Sequence, residues 1–140
     1  MKSGVEKSEP FVLIPVPLYP ARERERGFNQ AEIIARIIFS VLREKSGLGA
    51  GGNQAGHAGR FILEKNILAR VRPTAQQAHL ARDGRMKNVS GVFSCRGPAS
   101  ETVILVDDVF TSGATAQECA KVLKSAGAKK VFCLTLARAV

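Results

Sequence analysis

Histidine and cysteine are scarce in this chain, and neither is placed to hold a metal. His57 and His79 stand far apart with no ligand spacing between them. Cys95, Cys119 and Cys133 are odd in number, widely separated and without a Cys-x-x-Cys pair. They therefore read as reduced thiols of a cytoplasmic protein, not as a zinc or disulfide framework. Long apolar runs are missing too. The best candidate, Ile33 to Phe39, is broken by Arg36 and falls far short of the roughly 20 residues that span a bilayer. Residues 1–10 mix Lys with Glu and lack the apolar centre of a signal peptide. No internal repeat is visible. With 140 residues, 45% of them hydrophobic, the chain supports one compact domain, here 11–140 behind a tail at 1–10.

Negative charge is in short supply. The net charge is +9, and Arg60 to Arg96 holds eight Lys/Arg against Glu64 and Asp83. Such a field draws polyanionic ligands and nucleic acid alike. Binding of single-stranded DNA is nevertheless disfavoured, because it needs aromatic platforms among the basic residues. Only Phe61 and Phe93 are aromatic in that stretch, and both read as core.

What is present is concentrated in Val103-Ile104-Leu105-Val106-Asp107-Asp108-Val109-Phe110-Thr111-Ser112-Gly113-Ala114-Thr115. The short uninterrupted apolar run, Val103 to Val106, fits a strand buried on both faces of a parallel sheet. Thr111, Ser112 and Gly113 suit a tight turn that points backbone N–H groups at an anion. Asp107 and Asp108 repel phosphate but accept hydrogen bonds from hydroxyls. A ligand with a phosphate at one end and a vicinal diol at the other satisfies both. Neighbours on a regular strand face opposite sides, so the acids share one sugar only where the chain bends.

Elsewhere the pattern is strand, helix, strand. Phe11 to Val16 reads as a buried strand stopped by Pro15 and Pro17. Leu18 to Phe28 reads as a loop in which an extended Arg22-Glu23-Arg24-Glu25-Arg26 sets its arginines on one side. Asn29 with Glu32 predicts a capping box for an amphipathic helix reaching about Lys45. The six glycines of 47–59 make a flexible connector. Short strands are predicted at Ile67–Val71 and Val92–Cys95, the latter paired with Val103–Val106, and a short helix at Leu80–Lys87. Thr115-x-x-Glu118 predicts a second capped helix ending at Gly127, followed by a strand at Val131–Leu136. The implied architecture is α/β with a parallel sheet, and ligands belong at the strand carboxyl ends.

The Val103–Thr115 segment resembles the phosphoribosyl pyrophosphate (PRPP) motif of type I phosphoribosyltransferases. A narrower likeness, to the competence protein F (ComF) group, rests on several strings. These are Val16-Pro17-Leu18, Glu25-Arg26-Gly27-Phe28-Asn29-Gln30-Ala31, Arg72-Pro73-Thr74 with Gln77, Arg85 with Asn88-Val89, Gly91-Val92-Phe93, and Leu134-Thr135-Leu136-Ala137-Arg138.

The resemblance implies a Rossmann-like type I phosphoribosyltransferase core. With ten residues before the first strand and four after the last, it has little or no hood. It implies that Asp107 and Asp108 hold the ribose hydroxyls, while Thr111, Ser112, Gly113, Ala114 and Thr115 hold the 5′-phosphate. Arg24 and Arg26 occupy the place of the pyrophosphate loop, and Arg85 that of a residue neutralising the leaving group. Mg²⁺ is implied as a cofactor bound through PRPP rather than by a protein cage. Members acting on 6-oxopurines carry an acid where this chain has Thr111, which argues against hypoxanthine and guanine. Members usually carry a cysteine-rich zinc module as well, and residues 1–10 contain no cysteine. The implied activity is transfer of phosphoribose to a nitrogen acceptor, in association with competence and DNA uptake. The alternative is a non-catalytic module sensing PRPP or a nucleotide. Competence-machinery proteins are the implied partners, no membrane is involved, and an oligomer is compatible with the sequence.

Overall fold

The computed structural model describes residues 9–45, 57–58, 60–74, 84 and 89–139. Seven strands and three helices are described: β1 (Phe11–Pro15), α1 (Pro20–Arg26), α2 (Gln30–Lys45), β2 (His57–Ala58), β3 (Phe61–Leu63), β4 (Leu68–Arg70), β5 (Phe93–Cys95), β6 (Thr102–Phe110), α3 (Ala114–Ser125) and β7 (Lys130–Arg138). The main sheet runs β2-β3-β1-β6-β7. Its strands β3, β1, β6 and β7 are parallel, and β2 joins the edge antiparallel to β3. This is the α/β parallel-sheet core that the sequence implies.

The centre of the sheet is buried on both faces because β1 and β6 alternate their apolar residues between two helical layers. Val12 pairs with Val103 and Ile14 with Leu105, and all four pack with Cys119 and Leu123 of α3. On the other face Leu13 and Val106 pack with Ile34 and Ala35 of α2. Beyond them, Phe132, Leu134 and Leu136 on edge strand β7 stay exposed. No described helix is long and apolar enough to cross a membrane.

Several local expectations are corrected. The alternating charges of 22–26 lie on a helix, α1, not on an extended loop. Pro20 begins α1 with its φ already fixed, and Gly27 (φ 82°) ends it in the left-handed region. On a helix, the arginines fan around the axis instead of sharing a side. β5 pairs antiparallel with β4, not with β6, whose two edges are taken by β1 and β7. β6 runs past the acids to Phe110 because Asp107, Val109 and Phe110 stay in register with β7. His57–Ala58, inside the expected connector, forms β2, while 46–56 and 59 lie outside the described residues. The helix expected at Leu80–Lys87 lies outside them as well, apart from Gly84.

The capping box predicted at Asn29 forms only in part, and the one predicted at Thr115 is replaced by other contacts. Asn29 does cap α2, its Oδ1 accepting from the Ala31 N–H at 3.1 Å. Its Nδ2 donates to the Val16 carbonyl at 3.1 Å, which ties the chain after β1 to the helix. Glu32 turns instead to Arg36 and Lys65. At α3 the N-cap is Gly113, and Glu118 accepts from the Gly91 N–H at 3.0 Å, joining α3 to the small sheet. Asn29 is buried, so Asn29→Ala removes both bonds without solvent to replace them. The expected cost is about 2 kcal/mol, or a fall of roughly 5–8 °C in melting temperature. Asn29→Asp, which keeps the cap and loses the donor, should recover part of it. An unchanged melting temperature for the alanine variant would refute the tie.

Candidate active site

A cleft of about 250 Å³ opens at the carboxyl ends of β1 and β6, where a parallel sheet places its ligands. Segments from across the fold build it, including Arg26, Asn29 to Ala31, and Cys133 and Thr135 of β7. The chain leaving β1 contributes Val16, Pro17 and Leu18, β6 contributes Asp107 and Asp108, the turn and first residues of α3 form another wall, and β4 delivers Arg70.

Asp107 sits where β6 is still paired with β7, opposite Thr135, and Asp108 follows it on the same strand. Each folds its carboxylate back onto the next amide. Asp107 Oδ1 accepts from the Asp108 N–H at 2.9 Å, and Asp108 Oδ1 from the Val109 N–H at 2.8 Å. Both side chains consequently line the same cleft although the strand does not break between them. Burial pushes the Asp107 carboxyl up to about 7, and the neighbouring Asp108 adds to the rise. The Asp108 backbone N–H and the Arg70 guanidinium oppose it.

The turn is shaped by Gly113, which has φ 82° and ψ 3° and is the N-cap of the twelve-residue α3. Its carbonyl accepts from the Gln117 N–H at 2.9 Å, and the Ala114 N–H reaches Ser112 Oγ at 3.4 Å. Thr111, Gly113, Ala114 and Thr115 line the cleft. Ser112 belongs to the turn without lining the cleft.

Of the predicted cations, Arg26 lines the cleft and Arg24 does not. Arg85 lies outside the described residues. Sequence reasoning passed over Arg70, Asn29, Cys133 and Thr135, all of which line the cleft. For Arg70 one signal was available: a charge set inside the apolar run of Ile67–Val71. Cys133 and Cys119 are free thiols, and burial raises both above the ordinary thiol range. Neither supplies a thiolate nucleophile. Among the described residues no group of three or more His, Cys, Asp or Glu could hold a metal ion. The cleft therefore offers carboxylate and hydroxyl oxygens, a glycine-shaped turn at a helix N-terminus and two guanidiniums, a set suited to a sugar carrying anionic groups.

Comparison with known proteins finds relatives along most of the chain. The chain is 32% identical over 134 residues to competence protein F of Haemophilus influenzae, covering 93% of this chain and 51% of that protein. It is 28% identical over 128 residues to the DNA utilization protein YhgH of Escherichia coli K12, covering 89% and 49%. It is 28% identical over 139 residues to competence protein ComFC of Bacillus subtilis, covering 97% and 48%. The chain thus spans about half the length of the curated relatives it matches. No family model matches it. No solved structure matches it either.

Proposed function

Because the chain belongs to the competence protein F family over the half of those proteins that it matches, we propose that its cleft binds PRPP and transfers phosphoribose to a nitrogen acceptor in the service of competence and DNA use. One observation carries the reading: the acid pair and the glycine-shaped turn, which demand opposite chemistries, line a single cleft. The turn takes the 5′-phosphate on its amides, and the acids accept hydrogen bonds from the ribose hydroxyls.

In the reaction the bond from C1 to pyrophosphate breaks as the lone pair of the acceptor nitrogen forms a new bond to C1. Pyrophosphate leaves with the bonding electrons, and the acceptor gives up its proton. The protein's part is to fix the sugar and to stabilise charge on the departing group. Asp107 and Asp108 are hard oxygen donors lining the cleft, and Mg²⁺ arriving with the ligand would supply charge neutralisation to the diphosphate.

Calorimetric titration with PRPP in Mg²⁺ tests the binding, and release of pyrophosphate against a panel of bases and amines tests the transfer. Binding with release supports a transferase. Binding without release turns the reading to a non-catalytic sensing module. An empty titration overturns both.

The Asp107 carboxyl adds a dependence on pH. Its folded-state value of about 7 lies above the ordinary 3.8, so the native protein holds that proton more tightly than the unfolded chain. The stabilisation is complete below about pH 4 and is lost as pH rises through about 7. Ligand binding runs the other way, since an ionised carboxylate is the better acceptor for a diol. PRPP affinity should rise up to about tenfold from pH 6 to pH 8, following the ionised fraction of one group. Asp107→Asn should remove that rise while leaving the ionisation of the ligand's own phosphates. A rise of equal size in the variant would assign it to the ligand instead.

A further inference from the structure

Arg70 ends β4 in the small two-stranded sheet, away from the acids and the turn in sequence, yet its side chain lines the same cleft. The guanidinium is held firmly. It lies over the Phe93 ring with Cζ 4.9 Å from the centroid, and Nη1 donates to Thr74 Oγ1 at 3.1 Å. Its Nε is buried and, among the described residues, is the side-chain nitrogen or oxygen left without a hydrogen-bond partner. A buried donor in that state carries a desolvation cost that a site retains only for a reason.

The charge is as poorly matched as the donor. Phe93 and Thr74 are neutral. The charged or titratable groups acting on Arg70 are Cys119, Asp107 and Arg22. Burial keeps Cys119 a thiol and favours the protonated form of Asp107, and Arg22 repels. Among the described residues, this largely buried guanidinium therefore faces the cleft with Asp107 as the only acid acting on it and no ion pair to a carboxylate. A salt bridge to a ligand is the arrangement that repairs such a site, because a buried cation is tolerated when paired. The turn before α3 already takes one phosphate. Arg70 reaches the cleft from a different element, so two separate anion contacts converge on one ligand.

We propose that Arg70 is the specificity-determining contact for a second anionic group on the ligand, the diphosphate, and so separates PRPP from a ribose that carries the 5′-phosphate alone. This assignment rests on the PRPP reading of the cleft. Arg26, exposed at the end of the seven-residue α1, is the more adaptable of the two cleft cations. Arg70 is the pre-oriented one, and a fixed fork loses less freedom on binding.

The test is calorimetry in Mg²⁺ with three probes: PRPP, ribose 5-phosphate and inorganic pyrophosphate. Arg70→Gln should weaken PRPP and pyrophosphate on the order of 10- to 100-fold, about 1.4–2.8 kcal/mol at 1.4 kcal/mol per decade. Ribose 5-phosphate affinity should stay within about twofold, which also reports that the variant is folded. Thr74→Val, which frees Nη1 without touching the charge, should show a smaller loss with the same selectivity. If Arg70→Gln fails to fold, Thr74→Val decides. A loss of equal size on all three probes, or none on PRPP, overturns the assignment. Should the wild type bind no sugar phosphate, the reading of the turn fails. Pyrophosphate binding that needs Arg70 would still uphold this contact, and a wild type that binds no pyrophosphate would end it.

Discussion

Asp107→Asn/Asp108→Asn should weaken PRPP binding by about 100-fold or more while leaving the fold intact. Each hydrogen bond from a hydroxyl to a charged acceptor contributes about 1.5–3 kcal/mol, so losing two removes at least about 3 kcal/mol. The amide matches the carboxylate in shape, and its oxygen can still accept from the Asp108 and Val109 backbone N–H groups that hold the native side chains. Stability separates loss of function from loss of structure. Ionising Asp107 costs free energy in the folded state, whereas asparagine has no proton to lose. Above about pH 7 the double variant should therefore melt no lower than the wild type, and higher if the Asp107 charge is the dominant strain. Wild-type affinity in the folded double variant would refute the ribose role. A matching loss of inorganic phosphate binding would move the damage to the turn instead.

The legible parts of this chain were those in which one residue string determines its own surroundings. Val103 to Val106 reads as a strand buried on both faces, and Val103, Leu105 and Val106 are fully buried between α2 and α3. Asn29 announced its cap, and the amphipathic helix that follows it buries Ile34 and Ala35 against the sheet. Pairing was harder, because a three-residue strand such as β5 carries no mark of its neighbour. Its partner follows from both edges of β6 being filled and from Leu68 and Phe93 needing the same core. The length of β6 was hidden for a related reason. Two adjacent aspartates look like a strand end, yet Thr135, Ala137 and Arg138 of β7 continue the ladder beside them. Helix α1 was masked by its charge alternation, which has the period of a strand, whereas Pro20 and Gly27 carried the true boundaries.

The candidate site divides along the same line. Its acids and turn are contiguous in sequence and were found together. Arg70 enters from β4, more than thirty residues before the acids, and only the tertiary fold brings its guanidinium to them. Arg24 and Arg26 are two residues apart, which on a helix sends them about 200° apart around the axis. That geometry explains why one of them lines the cleft and the other does not.

Substitution of Gly113 is expected to damage the turn more than any other change there. At φ 82°, an alanine costs about 1–2 kcal/mol for the left-handed backbone alone. A Cβ would also come within 2.9 Å of Phe110 Cζ, so the ring must move as well. Gly113→Ala should therefore destabilise the protein by about 2–3 kcal/mol, a fall of roughly 6–10 °C in melting temperature. Ligand binding should fall further than the helix dipole can explain. The dipole at α3 contributes only about 0.3–1 kcal/mol, while each amide aimed at a charged oxygen contributes about 1.5–3 kcal/mol. Misplacing even one amide costs at least about tenfold in phosphate and PRPP affinity. Ser112→Ala is the contrasting change. It removes only the long 3.4 Å contact to the Ala114 N–H and should cost about 0.5 kcal/mol or less. Phe110→Leu in the Gly113→Ala background relieves the contact but not the backbone strain, so part of the stability should return. If affinity returns with it in full, the ring and not the glycine φ shapes the turn. If Gly113→Ala binds phosphate as the wild type does, the anion lies elsewhere in the cleft.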